Sequence, residues 1–376
     1  MDDVIRVCQP TVDQATRDAV MEVFDKGWLG SGPKTTEFEK KFADMVGAKY
    51  AIGCNSGTSA LDMCLKVYSD EYNLRGGELI TTPMTFVSDA IIAFWHNMDL
   101  TFADIDEETL CLDPKSIVIT PKTRAIVVVD SHGRLADVKG IKMKIEEYNH
   151  KNGITGKNIL IIEDAAHACY TPGVGEFADI VMWSFQAVKT MPTSDGGAIT
   201  TNDEKIAKEI KRLSWLNVEK NTYDRSLGRK YTWDYDITQN NGIKAYMNDL
   251  TATILLGQMN RLNEMLAKRR AIQTRYNAAF ADIPQIKIPK WSNTVQYYTM
   301  QCEDRDGLSE DLAEKGIVTS VHFKPLTEMT FYKKYVKRPL PVTDRVWKKL
   351  LSLPCHDALT WEQVEFVIKS VRDYYL

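Results

Sequence analysis

The sequence predicts an α/β fold: a large domain built on a mostly parallel sheet, followed by a smaller α/β domain. Three observations carry this. Between residues 50 and 213, short β-type apolar runs alternate with amphipathic helical stretches, the pattern of parallel β-α units. Two of those runs end in polar side chains, at the carboxyl edge where open sheets hold ligands. At 376 residues the chain is too long for one small core and suits one large domain plus a smaller one.

Taken in order, residues 11–26 place Ala15, Val20, Val23 and Phe24 at helical spacing, and GWLGSGP then breaks the helix with three glycines and Pro33. Such loops are commonly plain connectors. A helix over 35–46 stops at Gly47. A strand at 50–54 leads through NSGTSA into a helix over 61–68. Backbone N–H groups at such a helix start, beside small residues, suit an anion, although Ser and Thr are also the commonest helix caps. A strand over 78–82 and a helix over 89–97 flank Phe86, whose ring either packs in the core or lies on a ligand face. A strand at 101–104 ends in the turn Asp104-Ile105-Asp106, read as a structural cap.

The strand at 125–130 runs into DSHGRLADV, where His132 reads as a solvated loop residue. After a helix over 142–149, the apolar run 159–162 ends in Glu163 and Asp164. A second run, 180–183, delivers Ser184, Phe185 and Lys189, and Asp195-Gly196-Gly197 turns into a third at 198–201. GVGEFADI at 173–180 lacks the third glycine of a dinucleotide fingerprint and precedes a strand, so it reads as a turn. A helix reaches Leu213, and an irregular polar insert over 217–241 follows, with Lys220, Arg225, Arg229, Lys230, Trp233 and Tyr235. The long helix over 250–280 carries a stripe of Leu256, Met259, Leu262 and Met265. Strands at 297–302 and 318–323 flank a helix over 308–315, and a helix over 361–375 closes the chain. The expected division is a large domain over 1–250, a linking helix over 251–283 and a small domain over 284–376.

Charged residues make up 26% and hydrophobic ones 44%, as in an ordinary globular protein, and a net charge of −4 gives no basis for a nucleic-acid partner. Seven scattered cysteines without a CxxC pair argue against a disulfide framework or structural zinc, and no metal site is expected. MDDVIRVCQP has no signal-peptide pattern, and no run approaches the ~20 apolar residues of a membrane span. The expectation is a cytoplasmic protein with no membrane partner.

One carboxylate and one amine thus emerge from neighbouring strand ends. A buried Lys has a depressed pKa and forms Schiff bases, and a carboxylate beside a pyridine nitrogen keeps it protonated. The same residue types also serve as a helix cap and a solvated charge, so spacing alone leaves both readings open.

EDAAHA at 163–168, SFxxxK at 184–189, DGGAITTND at 195–203, NSGTSAL at 55–61 and the WLGSGP loop together resemble the DegT/DnrJ/EryC1/StrS sugar aminotransferases over nearly the whole chain. The resemblance implies fold type I of the pyridoxal 5'-phosphate enzymes, with a three-layer αβα domain and a seven-stranded sheet. It implies that Lys189 carries the cofactor as a Schiff base, Asp164 pairs with the pyridine nitrogen, and His167 lies near the phenolic oxygen. Ser184, Gly57 and Thr58 would contact the phosphate, and Phe86 the ring face. Trp28, Leu29 and Ser31 would shape the substrate pocket, as would His322 unless it is a structural histidine. Two departures stand out: Asp130 replaces the usual His, and in GIKAYM Lys244 and Tyr246 replace the usual Asn and Arg. Lys244 is therefore expected to reach the cofactor phosphate of a partner in a homodimer with active sites at the subunit interface. The implied reaction moves an amino group from L-glutamate to a nucleotide-linked 3-keto or 4-keto deoxysugar. The alternatives are a cyclitol or other keto acceptor, or a binding or regulatory protein that has lost turnover. A dehydratase would have histidine in place of Lys189.

Overall fold

β-branched and aliphatic runs assemble seven strands: β1 (Tyr50–Cys54), β2 (Glu78–Thr81), β3 (Asp99–Phe102), β4 (Thr123–Val129), β5 (Leu160–Asp164), β6 (Ile180–Ser184) and β7 (Gly197–Thr201). Their spatial order is β1-β7-β6-β5-β4-β2-β3, and only β7 runs against its neighbours. The computed structural model describes residues 4–218, 222–227, 235–237 and 239–376. Within the polar insert, Lys220, Arg229, Lys230 and Trp233 lie outside the described residues.

Successive strand residues point to opposite faces, and both faces are apolar, so helices must cover each. On one side Ile52, Val127, Ile162 and Ile199 pack with Leu61 and Leu65 of α3 (Gly57–Tyr68) and Ile210 of α6 (Glu204–Leu213). On the other, Ala51, Trp183 and Ala198 meet Phe38 and Phe42 of α2 (Pro33–Val46) and Leu255 and Leu262 of α8 (Asp249–Phe280). The result is the three-layer αβα sandwich. The remaining helices of this part are α1 (Gln14–Lys26), α4 (Ser88–Trp95), α5 (Val138–Lys151) and the short α7 (Thr222–Ser226).

The 32-residue α8 serves two cores. Its second half sends Ile272, Tyr276 and Phe280 into a separate cluster with Tyr298, Met300, Leu312 and Val367. That cluster underlies a three-stranded antiparallel sheet, β8 (Ile286–Lys287), β9 (Tyr298–Cys302) and β10 (Leu350–Leu353), backed by α9 (Arg305–Glu314) and α11 (Trp361–Tyr375), with α10 (Pro341–Val346) at its edge. Ile5 reaches across to join the same cluster and bridges Ile317. We propose the division at 250 and 283 as the domain boundary, on the ground that the two cores meet along α8.

Two expectations are corrected. On α1 the inward residues are Thr16 and Val23, while Ala15 is exposed and Phe24 is 48% exposed. The cause is a tight crossing: a Cβ at Gly257 of α8 would lie 2.0 Å from Thr16 Oγ1, which centres the seam on Thr16. Residues 318–323 are not a strand. Only Ser320 is bridged, to Ser352, and Val318 N–H bonds the Ile5 carbonyl, so the segment runs as an irregular wall beside the cavity described below.

Asp104 is a cap, but of an unexpected helix. Its Oδ1 accepts from Thr343 N–H at 2.8 Å and the Thr343 hydroxyl at 2.7 Å, and Oδ2 from Val342 N–H at 2.9 Å, fastening α10 to the end of β3. Removing this carboxylate strands buried donors. Asp104→Ala is expected to lower stability by about 2 kcal/mol, read as a fall in the urea midpoint with an unchanged slope.

Candidate active site

Parallel pairing sets Asp164 of β5 opposite Met182 of β6, so the two strands end together and Asp164, Ser184 and the loop bearing Lys189 share one edge. A cavity of about 700 Å³ opens there, lined by Ser56, Gly57, Thr58, Phe86, Asp164, His167, Ser184, Lys189 and His322 among others. Eight expected residues thus converge: Gly57, Thr58, Phe86, Asp164, His167, Ser184, Lys189 and His322.

The Lys189 loop is clamped from both sides. Below it, Phe185 is fully buried against Phe38 and Phe42, while Phe185 N–H bonds the Gly196 carbonyl and Thr193 N–H the Phe185 carbonyl, each at 2.8 Å. Above it, the buried Gln296 donates to the Val188 carbonyl at 2.7 Å and accepts from the Thr190 hydroxyl at 2.8 Å, gripping both neighbours of the lysine. Gln296 is in turn held by Arg269, whose guanidinium bonds the carbonyls of Val295 and Gln296.

On the lining of the same cavity, Ser56 caps α3 by accepting from Ser59 N–H, which leaves the first-turn N–H groups of Gly57 and Thr58 without acceptors in their own helix. Close packing demands glycine: a Cβ at Gly57 would lie 2.9 Å from that of Ser184, and one at Gly197 would lie 2.5 Å from the Ser56 carbonyl.

Burial lowers the Lys189 pKa, and the Asp164 and Asp89 carboxylates only partly restore it. Burial raises that of Asp164, against the pull of the Ala166 N–H (2.8 Å) and the Lys189 charge. His167 is driven well below the ordinary imidazole value by burial and then by Lys189, so its ring is neutral. Its Nδ1 accepts from His132 N–H at 3.4 Å, and the ring stacks on Phe323 at 5.8 Å. His322 stacks on Tyr297 at 3.6 Å, with Nδ1 2.9 Å from the Ser352 hydroxyl, and burial takes it to about 3. It lines the cavity and is tied into the small sheet at once.

Other candidates lie elsewhere. Trp28, Leu29 and Ser31 line a separate cavity of about 240 Å³ with Trp215 and Tyr246. This loop is fixed by Asp249, which accepts from the N–H groups of Gly32, Lys34 and Thr35. Lys244 lies over the Trp215 ring at 5.5 Å and does not line the Lys189 cavity of its own chain. Asp130 sits beneath that cavity's wall, fully buried, with Oδ1 accepting from Ala136 N–H at 2.8 Å. His132, expected in solvent, is 1% exposed with Nε2 2.9 Å from the His322 carbonyl. The small domain covers its loop, which no local pattern announced.

Sequence reasoning missed Gln296, Tyr297, Phe323 and Asp89. The first three come from segments remote in sequence. Asp89 looked like an ordinary acid in the first turn of α4, yet it is fully buried.

The sequence profile of the DegT/DnrJ/EryC1/StrS aminotransferase family matches residues 10–372. The spore coat polysaccharide biosynthesis protein SpsC of Bacillus subtilis (strain 168) is 34% identical over 384 residues, covering 97% of this chain and 95% of its own. Among solved structures, the aminotransferase TlmJ from Streptoalloteichus hindustanus superposes with a TM-score of 0.86 at 27% identity, over 98% of each chain. Spr1654 from Streptococcus pneumoniae, in its PLP form, does so with a TM-score of 0.86 at 27% identity, over 99% of this chain and 100% of its own.

The histidines give a pH prediction. His132, His167, His322 and His356 all have folded pKa values below the unfolded one, so the unfolded chain binds more protons and stability falls as pH drops through about 6.5. For His322 the loss continues to about pH 3. His322→Gln is expected to flatten the acid limb of stability against pH by up to about 1.4 kcal/mol per pH unit, read from urea midpoints between pH 7 and 4.

Proposed function

The chain belongs to the DegT/DnrJ/EryC1/StrS aminotransferase family and is a pyridoxal phosphate-dependent aminotransferase of fold type I; on that premise we propose that it transfers an amino group from L-glutamate to a nucleotide-linked keto sugar. The observation that carries the reading is the convergence of the Lys189 amine and the Asp164 carboxylate on one cavity that is also lined by a helix N-terminus. SpsC is named for polysaccharide biosynthesis, which supports a sugar acceptor. The second cavity, walled by Trp28, Trp215 and Tyr246, offers flat aromatic surfaces suited to a base or sugar ring.

The residues present fit the cofactor. The N–H groups of Gly57 and Thr58 and the Ser184 hydroxyl would hold its phosphate at the positive end of α3. Asp164 would face its ring nitrogen, His167 and Phe86 its ring. When bound, the cofactor supplies an aldehyde that condenses with amines and a ring that withdraws electrons.

The chain's own part is positioning and proton transfer. Burial makes the Lys189 amine easier to deprotonate than an ordinary lysine, so it can both accept a proton from the amino donor and return one to the product side. The Gln296 clamp fixes where that amine stands. His167 and His322 are neutral and add no competing positive charge beside it. A homodimer belongs to the same proposal: Lys244 lies outside its own chain's cavity, and Phe86 is 60% exposed at the cavity rim.

Lys189→Ala is expected to bind the cofactor without turning over, with transfer reduced by about a thousandfold or more, measured as 2-oxoglutarate released from L-glutamate in the presence of a nucleotide-linked keto sugar. Turnover at the normal rate would remove Lys189 from the mechanism. Wild-type enzyme whose cofactor absorption is unmoved by L-glutamate would remove glutamate as donor.

A further inference from the structure

Asp164 has a second acid near it, one that does not itself line the cavity. Asp89, in the first turn of α4, is fully buried, its Oδ2 accepts the Thr85 hydroxyl, and its Oδ1 is sealed from solvent with no donor of another kind. The Asp89 and Asp164 carboxyl groups lie within hydrogen-bonding reach of each other, and the buried Asp89 Oδ1 has no other partner. Carboxylates only accept, so two carboxyl groups bond only when one carries a proton.

The surroundings decide which one. Asp164 has a backbone donor, Ala166 N–H at 2.8 Å, whereas the Lys189 charge acts on both acids. Asp89 has only the Thr85 hydroxyl, and burial followed by the Asp164 charge pushes it well above the usual carboxylate range. The cavity wall also carries Cys8 and the neutral His167, with Arg6 and Asp195 elsewhere on the lining.

We propose that Asp89 is a positioning residue that keeps a proton of its own and donates it, as a hydrogen bond, to Asp164, so that Asp164 stays ionised although buried. The proposal rests on the reading that Asp164 faces the ring nitrogen of the bound cofactor. With two donors spreading its charge, Asp164 would face the ring nitrogen of the bound cofactor as a carboxylate too weakly basic to take its proton. A second acid pair lies outside the cavity: Asp130 Oδ2 and Glu163 Oε1 are likewise sealed without other donors, while the opposite oxygens take Ala136 N–H and Gly175 N–H, each at 2.8 Å. It provides an internal control.

The test has two readouts. In the cofactor-free protein at neutral pH, the infrared spectrum should show protonated carboxyl groups. Asp89→Asn should delete one component, Asp130→Asn a different one, and the double variant both. In the cofactor-loaded protein, single-turnover conversion by L-glutamate should stay within about threefold of wild type in Asp89→Asn, whose amide still donates to Asp164, and drop about tenfold or more in Asp89→Leu. An infrared spectrum unchanged by Asp89→Asn, or an Asp89→Leu protein as fast as wild type, overturns the proposal. If Asp89→Leu does not fold, the Asn variant's spectrum decides alone. Should no variant, nor the wild type, take up the cofactor, it is the functional reading that fails, and the carboxyl signal still judges the pair.

Discussion

The site depends on one constraint, the register between β5 and β6. Because Asp164 pairs with Met182, an acid at one strand end and an amine a short loop beyond the other are delivered to the same depth, and a slip of one residue turns Asp164 to the opposite face. The sheet supplies the leverage. Val128 and Val129 pair with Glu163 and Asp164 on the far side, so the acid is held from two directions before any side chain makes a contact.

Around that edge the chain keeps few net charges. His167 and His322 on the wall and His132 against them are neutral, Asp89 keeps its proton, and Lys189 is more easily discharged than a surface lysine. Each uncompensated charge in such a place costs several kcal/mol, so neutral imidazoles are less costly to bury there than charged ones.

Much of this was legible in the residues. Alternation of β-type and amphipathic runs gave the α/β class, the three layers came from the family resemblance, and the Ser-Thr segment at 56–59 and Gly47 marked where helices begin or end. Asp164, Ser184 and Lys189 stand at or shortly after strand ends, which by itself left their roles open, and the resemblance of EDAAHA and SFxxxK to the family singled them out. Gln296 and Tyr297 were not legible, because their nearness to Lys189 arises from how the two cores meet along α8, which no local pattern encodes. His132 was misread for the same reason: its loop looks exposed until the small domain covers it. Residues 318–323 have strand-like composition but spend their backbone groups on Ile5 and Ser352, a tertiary choice that overrides propensity.

Gln296 belongs by sequence to the part of the chain after α8, yet its amide is fastened to the loop of the other part on either side of Lys189. Any swing of the C-terminal part about α8 therefore tugs on the lysine's own backbone. Through this one side chain, the place of the amine and the place of the C-terminal part are fixed together.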